Sequence, residues 1–557
     1  MSLTVLWILS VPVLAAPAPA DPDLARLTGP LQQASLLETP SERMDWALER
    51  PGAQDPDAVQ VVVELEPWAL ASQVVDDLVW QDPGLRLELV RPDALQLRVS
   101  HDGLLAVAAT DGVRRVREPF YARAREVVSE GVDQTLLLDW HADGTTGEGV
   151  RVAILDIGFA GWTNVGDDEI PTSTTTDGTT DGWQQSDHGT AVAEIVHDMA
   201  PDAELGLFNF RTDQEYVDRM EAIVNDDWQV INASVGFDNV WHADGTSPYS
   251  LTVDWAVDNG VVYVAAAGNE SYNYVSGDLT DKLDDDGISE SDGFVEINGH
   301  NGVWLPVAGG QAEASFRWTD PMGASNNDFD LVLFYDDTST AEDNICGRSE
   351  EPQAGTEDPY EYALCSSSDS WVYARVVFNA AGGQEFPANR EGFLYCFYGV
   401  DEEAATTERT LTLPADAAGA ITVGAYRTTG ELAWYSSQGP TEDGRTKPDV
   451  VAPTAVSTKI YGSRTATEGT SFAAPHVSGA AALLLDADRR MDPQEVKDYL
   501  RDNAEDLGPD GPDTLYGWGS VTLREVPEGC GCSAAGGAAG AVALWLPLVL
   551  AGVRRRS

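Results

Sequence analysis

The sequence predicts an α/β fold in which helices flank a parallel sheet, with a small α+β module before it and a β-sandwich inserted into it. From Gly149 onward, strand-like runs such as VRVAILDIG and VVYVAAAGN alternate with helical stretches such as RMEAIVNDDW. Such alternation is typical of a parallel sheet with helices on both faces. Short strands and frequent turns break the pattern over residues 281–407, which predicts the inserted sandwich. The α/β domain is therefore expected in two parts, 126–280 and 408–526.

The segment before the α/β domain has a strand and helix pattern of its own. VQVVVELE, LRLELV and LQLRV predict strands, and HDGLLAVAAT predicts a short helix ahead of GVRRVRE. Residues 57–125 are therefore expected to form a small α+β module. Residues 21–56 are rich in Pro, Asp and Ala, which is typical of a linker.

Both ends of the sequence predict export. Residues 1–20 combine an apolar stretch with small residues before Ala20, which predicts a secretory signal peptide, although no Lys or Arg precedes the apolar stretch. An apolar run from Ala538 to Val553 precedes three arginines, which predicts a short transmembrane helix with the arginines on the cytoplasmic side. We therefore expect an exported protein, either extracellular or anchored at the cell surface.

The C-terminal segment 527–557 resembles the Gly-Cys-Gly-Cys sorting tag of myxobacteria, through EGCGCSAAGG, the apolar run and the arginines. The resemblance implies processing by dedicated sorting machinery, with Cys530 or Cys532 as the anchoring residue. An ordinary single-pass tail anchor is the alternative.

The charge balance narrows the classes of function. Acidic residues outnumber basic ones by 92 to 33, and the formal net charge is −59. Nucleic-acid binding requires a basic surface, so this composition argues against it. An apolar content of 43% excludes a disordered acidic chain, and the composition suits a soluble extracellular protein.

Three cysteines lie in the predicted insertion, at Cys346, Cys365 and Cys396. In an exported protein we expect two of them to form a disulfide. The pair Cys346–Cys365 closes the shortest loop, but the sequence leaves the pairing open.

Four polar residues stand where catalytic groups of an α/β enzyme are expected. Asp156 ends the apolar strand VRVAILD, and His188 begins a helix with an apolar face. Ser471 opens the small-residue stretch EGTSFAAPHVSGAAA, and Asn269 follows the strand VVYVAAA. A carboxylate that orients an imidazole, which in turn activates a hydroxyl, is the arrangement of a serine nucleophile, and an Asn amide can stabilise the oxyanion. Each residue alone is equally typical of a turn or a helix cap.

The stretch around Ser471 predicts a closely packed helix. Proline is expected only in the first turn, so Pro475 places the helix start near Ser471. A hydroxyl there would lie at the positive end of the helix dipole, among unpaired N–H groups. A simple N-cap serine is the alternative.

Several segments resemble the subtilisin family of serine proteases, in which the chain order is also Asp, His, Ser. They are residues 149–158, 187–199, 230–236, 264–270 and 436–482, including INASVGF and SSQGPTEDGRTKPDVVAP. The resemblance implies a subtilisin-like sheet, with Asp156, His188, Ser471 and Asn269 as catalytic residues. It further implies a substrate cleft with one edge at Ser234, Val235 and Gly236, and a pocket wall at Ala265, Ala266, Ala267 and Gly268. Ile157 departs from the family, which usually has Ser or Thr there, so the carboxylate loses a possible hydrogen bond.

The resemblance implies a secreted or surface-anchored serine endopeptidase that acts on proteins or peptides and is made as a zymogen. Residues 57–125 would be its inhibitory propeptide, removed around Ala122–Glu130. No cofactor is needed for the chemistry. A structural Ca²⁺ is expected for the family, and Asp284, Asp285, Asp286 and Asp292 are candidate ligands, with a solvated acidic loop as the alternative.

Two other functions remain open on the sequence. A catalytically weak surface protein could use the protease fold as a scaffold and bind glycan or protein through the β-sandwich. Alternatively, the protein could be a dedicated maturation protease with few substrates and not a protease that digests proteins as nutrients.

Overall fold

A computed structural model describes residues 26–28, 31, 34–35 and 58–523, with gaps at 83, 121–130, 133, 136–137, 167–168, 179–181, 282–292, 339, 380–384, 428 and 462–467. The predicted signal peptide, C-terminal segment and processing region lie outside the described residues, and so do the four candidate calcium ligands. Within the part of the chain that is described, no helix is long and apolar enough to cross a membrane.

The strands and helices are numbered in chain order. The strands are β1 (Val59–Leu65), β2 (Arg86–Val90), β3 (Ala94–Val99), β4 (Val113–Arg117), β5 (Arg151–Asp156), β6 (Thr175–Gly178), β7 (Glu204–Asn209), β8 (Val230–Ala233), β9 (Val262–Ala266), β10 (Tyr274–Asp281), β11 (Phe294–Ile297), β12 (Val303–Pro306), β13 (Gln311–Trp318), β14 (Phe329–Phe334), β15 (Ile345–Ser349), β16 (Tyr360–Ser366), β17 (Trp371–Phe378), β18 (Glu391–Cys396), β19 (Ile421–Tyr426) and β20 (Val450–Pro453). The helices are α1 (Ala71–Gln81), α2 (Leu104–Ala108), α3 (Leu138–Ala142), α4 (His188–Met199), α5 (Asp213–Asn225), α6 (Pro248–Asp258), α7 (Thr470–Ala487) and α8 (Pro493–Asp502).

The N-terminal module is an antiparallel sheet in the order β2-β3-β1-β4, with α1 and α2 packed against it. Its predicted strands are present, whereas the sequence analysis overlooked α1. The linker prediction for 21–56 is wrong for three of its residues: Leu27 bridges to Val116, and Leu31 and Ala34 are buried in the module's core. The Pro- and Asp-rich composition around them concealed these apolar anchors.

The main sheet consists, among the described residues, of parallel strands in the order β20-β19-β9-β8-β5-β7-β6. Side chains alternate between the two faces of a strand. On β5, Val152 and Ile154 join the core shared with α4 and α7, whereas Ala153 and Leu155 join the core shared with α5 and α6. Helices therefore cover both faces, as the alternating pattern predicts.

Helix α7 approaches its neighbours closely, as its small residues predict. Gly479 faces α4, and a Cβ at this position would lie only 2.2 Å from the Cβ of Met199. Since real Cβ atoms do not come this close, any larger residue at position 479 would push the two helices apart.

The insertion consists of antiparallel strands β10 to β18 around a core that includes Phe316, Trp318 and Phe329. Its sheet begins at Tyr274, ahead of the predicted boundary at 281, because β10 pairs with both β11 and β18. Cys346 and Cys365 form a disulfide, and Cys396 is a buried free thiol. Classification of the insertion as a β-sandwich stays a prediction.

Charged contacts join the N-terminal module, the α/β domain and the insertion. Arg117 of β4 pairs with Asp213 at the start of α5, and Arg115 pairs with Asp358 of the insertion. Arg317 of β13 pairs with Glu442 of the α/β domain, beside His242. The insertion is thus attached to both the N-terminal module and the main sheet.

Glu442 is expected to make stability depend on pH. Burial raises the pKa of its carboxyl, but the charge of Arg317, the neighbouring His242 and the Ala243 N–H together lower the pKa to about 2, well below the usual value of a glutamate. A carboxyl with a lowered folded-state pKa stabilises the fold above its unfolded pKa, and this stabilisation disappears as the pH falls towards the folded pKa.

We predict that Glu442→Gln lowers the free energy of unfolding by about 3 kcal/mol at neutral pH, and that this difference narrows between about pH 5 and 2. Urea unfolding of the variant and of the unsubstituted protein at several pH values measures the difference. Glu391→Gln removes the partner of Arg409 in a more exposed pair and is expected to cost at most about 1 kcal/mol. Equal effects of the two substitutions would contradict the prediction.

Candidate active site

Asp156 and His188 form a buried pair at one edge of the main sheet. Asp156 is the last residue of β5, and its side chain lies on the same face as Ile154, towards α4 and α7. His188 begins α4, and its Nδ1 donates to Asp156 Oδ2 at 2.8 Å. The exposed fractions are 0% for Asp156 and 2% for His188, so water does not compete for this hydrogen bond.

The residue after Asp156 supplies a hydrogen bond through its backbone. The Ile157 N–H donates to Asp156 Oδ1 at 2.8 Å, while Oδ2 accepts from His188. Both carboxylate oxygens are therefore held, and the carboxylate is oriented without the hydroxyl that Ile157 lacks.

The predicted helix start near Ser471 is confirmed, but Pro475 does not lie in the first turn as expected. The helix begins at Thr470, so Pro475 lies inside it, beyond the first turn. Proline has no N–H to donate to the carbonyl four residues earlier, which is that of Ser471. The Ser234 hydroxyl donates to this carbonyl instead, at 2.6 Å, and this replaces the missing helical hydrogen bond.

Ser471 and His188, the predicted nucleophile and base, are not hydrogen-bonded to each other. The Ser471 hydroxyl donates to the Ser234 carbonyl at 2.9 Å, and His188 Nε2 is buried without a partner among the described residues. The imidazole contacts Phe472, whose ring centroid lies 5.2 Å from its own. A hydrogen bond from Ser471 to His188 would require the Ser471 hydroxyl to leave the Ser234 carbonyl. Hydrogen bonds between catalytic groups often tighten only in the complex with substrate.

Asn269 is tied to the start of α7. Its Oδ1 accepts from the Thr470 N–H at 2.8 Å and from the Thr470 hydroxyl at 3.2 Å. The same hydroxyl accepts from the Gly268 N–H at 3.0 Å. Because Oδ1 is occupied, Asn269 has its amide N–H₂ to offer, beside the helix N-terminus that carries Ser471.

The residues predicted for the substrate cleft lie at the same edge of the sheet. Ser234, Val235 and Gly236 directly follow β8, while Ala265 and Ala266 end β9 and lead into Ala267 and Gly268. Ala267 is already paired inside the protein, because its N–H donates to Val423 and its carbonyl accepts from Thr412. Gly268 has φ +109°, a conformation that favours glycine.

A buried chain of hydrogen bonds behind Ser471 was not predicted from the sequence. Ser478 of α7 donates to Asn232 Oδ1 at 2.8 Å, and Asn232 Nδ2 donates to the Ser234 hydroxyl at 2.9 Å. Ser234 then donates to the Ser471 carbonyl. The polar side chain in the apolar strand VINA is the signal that could have identified Asn232.

His476 is buried within α7. Burial lowers the pKa of its imidazole to about 4, and Nδ1 donates to the Phe472 carbonyl at 2.7 Å. Among the described residues, no group of three or more His, Cys, Asp or Glu could hold a metal ion.

Comparison with known proteins identifies relatives of the catalytic domain. The chain is 26% identical over 442 residues to the minor extracellular protease Vpr of Bacillus subtilis, which covers 68% of this chain and 51% of that protein. It is 42% identical over 69 residues to an extracellular serine protease of Serratia marcescens, 12% of this chain and 6% of that protein. The chain thus spans about half the length, or less, of these relatives.

A solved structure, the CspB protease of Clostridium perfringens, aligns with a TM-score of 0.48 at 20% identity, covering 69% of this chain and 95% of that one. The sequence model of the Subtilase family matches residues 147–291 and 357–519, which together make up more than half of the chain and include Asp156, His188, Asn269 and Ser471. The chain therefore belongs to the subtilase family.

Proposed function

We propose that the protein is a secreted or surface-anchored serine endopeptidase, made as a zymogen, which hydrolyses peptide bonds through an acyl-enzyme on Ser471. The observation that carries the proposal is the buried hydrogen bond between Asp156 and His188, located next to Ser471 at the start of α7. Membership of the subtilase family and the extracellular relatives support it.

In the proposed mechanism, Asp156 holds the His188 imidazole with Nδ1 protonated and Nε2 free to accept a proton. The Ser471 hydroxyl gives its proton to Nε2 and attacks the substrate carbonyl. The Asn269 amide and the backbone N–H of Ser471 stabilise the oxyanion, and His188 then protonates the leaving amine. In the second half of the reaction, His188 takes a proton from water, the resulting hydroxide attacks the acyl carbon, and His188 returns the proton to the departing Ser471 oxygen. No cofactor takes part in this chemistry.

The N-terminal module is proposed to act as an inhibitory propeptide. It contacts the catalytic domain at the start of α5, where Arg117 pairs with Asp213 and the Thr212 hydroxyl donates to Gln96 at 2.7 Å. Its last described residue, Phe120, precedes the predicted cleavage region at 122–130. Cleavage there would separate the module from the catalytic domain without breaking either fold.

Two features of the proposal depend on residues that lie outside the described part of the chain. Anchoring at the cell surface would depend on the segment 527–557 and on sorting machinery that recognises it. A structural Ca²⁺ would depend on Asp284, Asp285, Asp286 and Asp292, and both features stay predictions.

The alternative function, a catalytically weak binding protein, makes the N-terminal module a permanent part of the fold. The complete set of proposed catalytic groups argues against it. Processing that depends on Ser471 would exclude it.

We predict that the wild-type protein, mapped by mass spectrometry, begins near residues 122–130, whereas Ser471→Ala retains residues 57–120. The substitution removes the nucleophile but leaves the Asp156–His188 pair intact, so the variant should remain folded. Identical cleavage of both proteins would show that another protease performs the maturation. A wild-type protein that is never cut would refute the zymogen proposal and favour the binding protein.

We predict that Asn269→Ala lowers kcat by roughly 10²–10³, because one of two oxyanion donors is lost. A quenched fluorescent peptide, selected from a library with the wild-type protein, provides the assay. Asn259→Ala, at the exposed end of α6, makes the same chemical change away from the site and should leave kcat unchanged. A wild-type rate for Asn269→Ala would contradict the proposed role.

A further inference from the structure

A tyrosine of the insertion is hydrogen-bonded to the loop that carries Asn269. Tyr395 lies in β18, and its hydroxyl donates to Glu270 Oε2 at 2.8 Å. Both residues are fully buried, with exposed fractions of 0%. They are 125 positions apart in the chain, so this contact joins the insertion to the residue that follows the candidate oxyanion donor.

The Glu270 carboxylate links Tyr395 to the backbone of Asn269. While Oε2 accepts from Tyr395, Oε1 accepts from the Asn269 N–H at 3.2 Å. The Glu270 N–H in turn donates to the Ser437 hydroxyl at 2.9 Å. Both the backbone and the side chain of Glu270 are therefore held by hydrogen bonds.

Asn269 is therefore held from two directions. Its side-chain Oδ1 is bound to Thr470 on the nucleophile helix, and its backbone N–H is bound to Glu270 on the side of the insertion. An oxyanion donor acts only when it lies about 2.7–3.1 Å from the developing charge, so small displacements of its backbone matter.

We propose that Tyr395 and Glu270 are positioning residues that hold Asn269 at the oxyanion site, so that the insertion supports catalysis without touching the substrate. This inference rests on the proposed function. Loss of the Tyr395 hydroxyl leaves a buried carboxylate oxygen with one donor fewer, and the carboxylate is then expected to shift and to move the Asn269 backbone with it.

The chain offers a matched control in the same antiparallel sheet. The Tyr362 hydroxyl donates to Glu313 Oε1 at 2.7 Å, which is the same kind of pair. Tyr362→Phe therefore makes the same chemical change as Tyr395→Phe, but it breaks a bond to a carboxylate that does not contact Asn269.

The first experiment measures kcat and KM of these variants with the selected fluorescent peptide. Tyr395→Phe is expected to lower kcat roughly 10-fold, less than removal of the donor itself, with KM within about two-fold of wild type. Tyr362→Phe should behave as wild type. Glu270→Gln should retain more activity than Glu270→Ala, because the amide oxygen can still accept from the Asn269 N–H.

The second experiment introduces Tyr395→Phe into Asn269→Ala. If Tyr395 acts through Asn269, Tyr395→Phe causes no further loss of kcat in the Asn269→Ala background. A general loosening of the fold would instead lower kcat by the same factor in the wild-type and Asn269→Ala backgrounds. An equal loss in both backgrounds, or wild-type kcat for Tyr395→Phe beside an impaired Asn269→Ala, would overturn the inference alone. An Asn269→Ala variant as fast as wild type would instead refute the oxyanion role in the proposed function, and the inference with it.

Discussion

The alternation of side chains along the parallel strands of the main sheet determines which face of the sheet carries the candidate site. On β5, Val152 and Ile154 face α4 and α7, so Asp156, two residues further, faces the same helices. On β8 the same rule directs Asn232 towards α7, where it meets Ser478. A shift of β5 by one residue would turn Asp156 to the opposite face, and its pair with His188 could not form. A shift of β8 by one residue would likewise turn Asn232 away from Ser478.

Helix α7 contains a proline, and a hydrogen bond from outside the helix replaces the one that this proline cannot make. Pro475 has no N–H to donate to the carbonyl of Ser471, and the hydroxyl of Ser234, just after β8, donates to this carbonyl instead. The two residues are thereby coupled in both directions, because the Ser471 hydroxyl also donates to the Ser234 carbonyl. Ser234, just after β8, and the first turn of α7 therefore hold each other in place, and in the proposed arrangement Tyr395 and Glu270 add a support from the insertion.

The sequence is sufficient to predict those parts of the site that depend on local pattern. Asp156 at a strand end, His188 and Ser471 at helix starts and the alternation of strands and helices all follow from periodicity over short windows. Contacts between distant segments do not, because nothing in the pattern around Tyr395 indicates Glu270, and nothing around Arg115 indicates Asp358. Burial of Leu27, Leu31 and Ala34 was missed because the Pro- and Asp-rich composition around them favoured a linker, although their i, i+4, i+7 spacing is helical. A general rule placed Pro475 in the first helical turn, but the hydrogen bond from Ser234 makes a later position possible.

Ser471 is proposed to be a nucleophile that His188 activates, and labelling of the processed protein with a fluorophosphonate measures the reactivity of its hydroxyl. We expect a single labelled peptide containing Ser471, and labelling that is strongly slowed in His188→Ala. A folded, processed protein that is not labelled at Ser471, or that is labelled equally fast without His188, would contradict it.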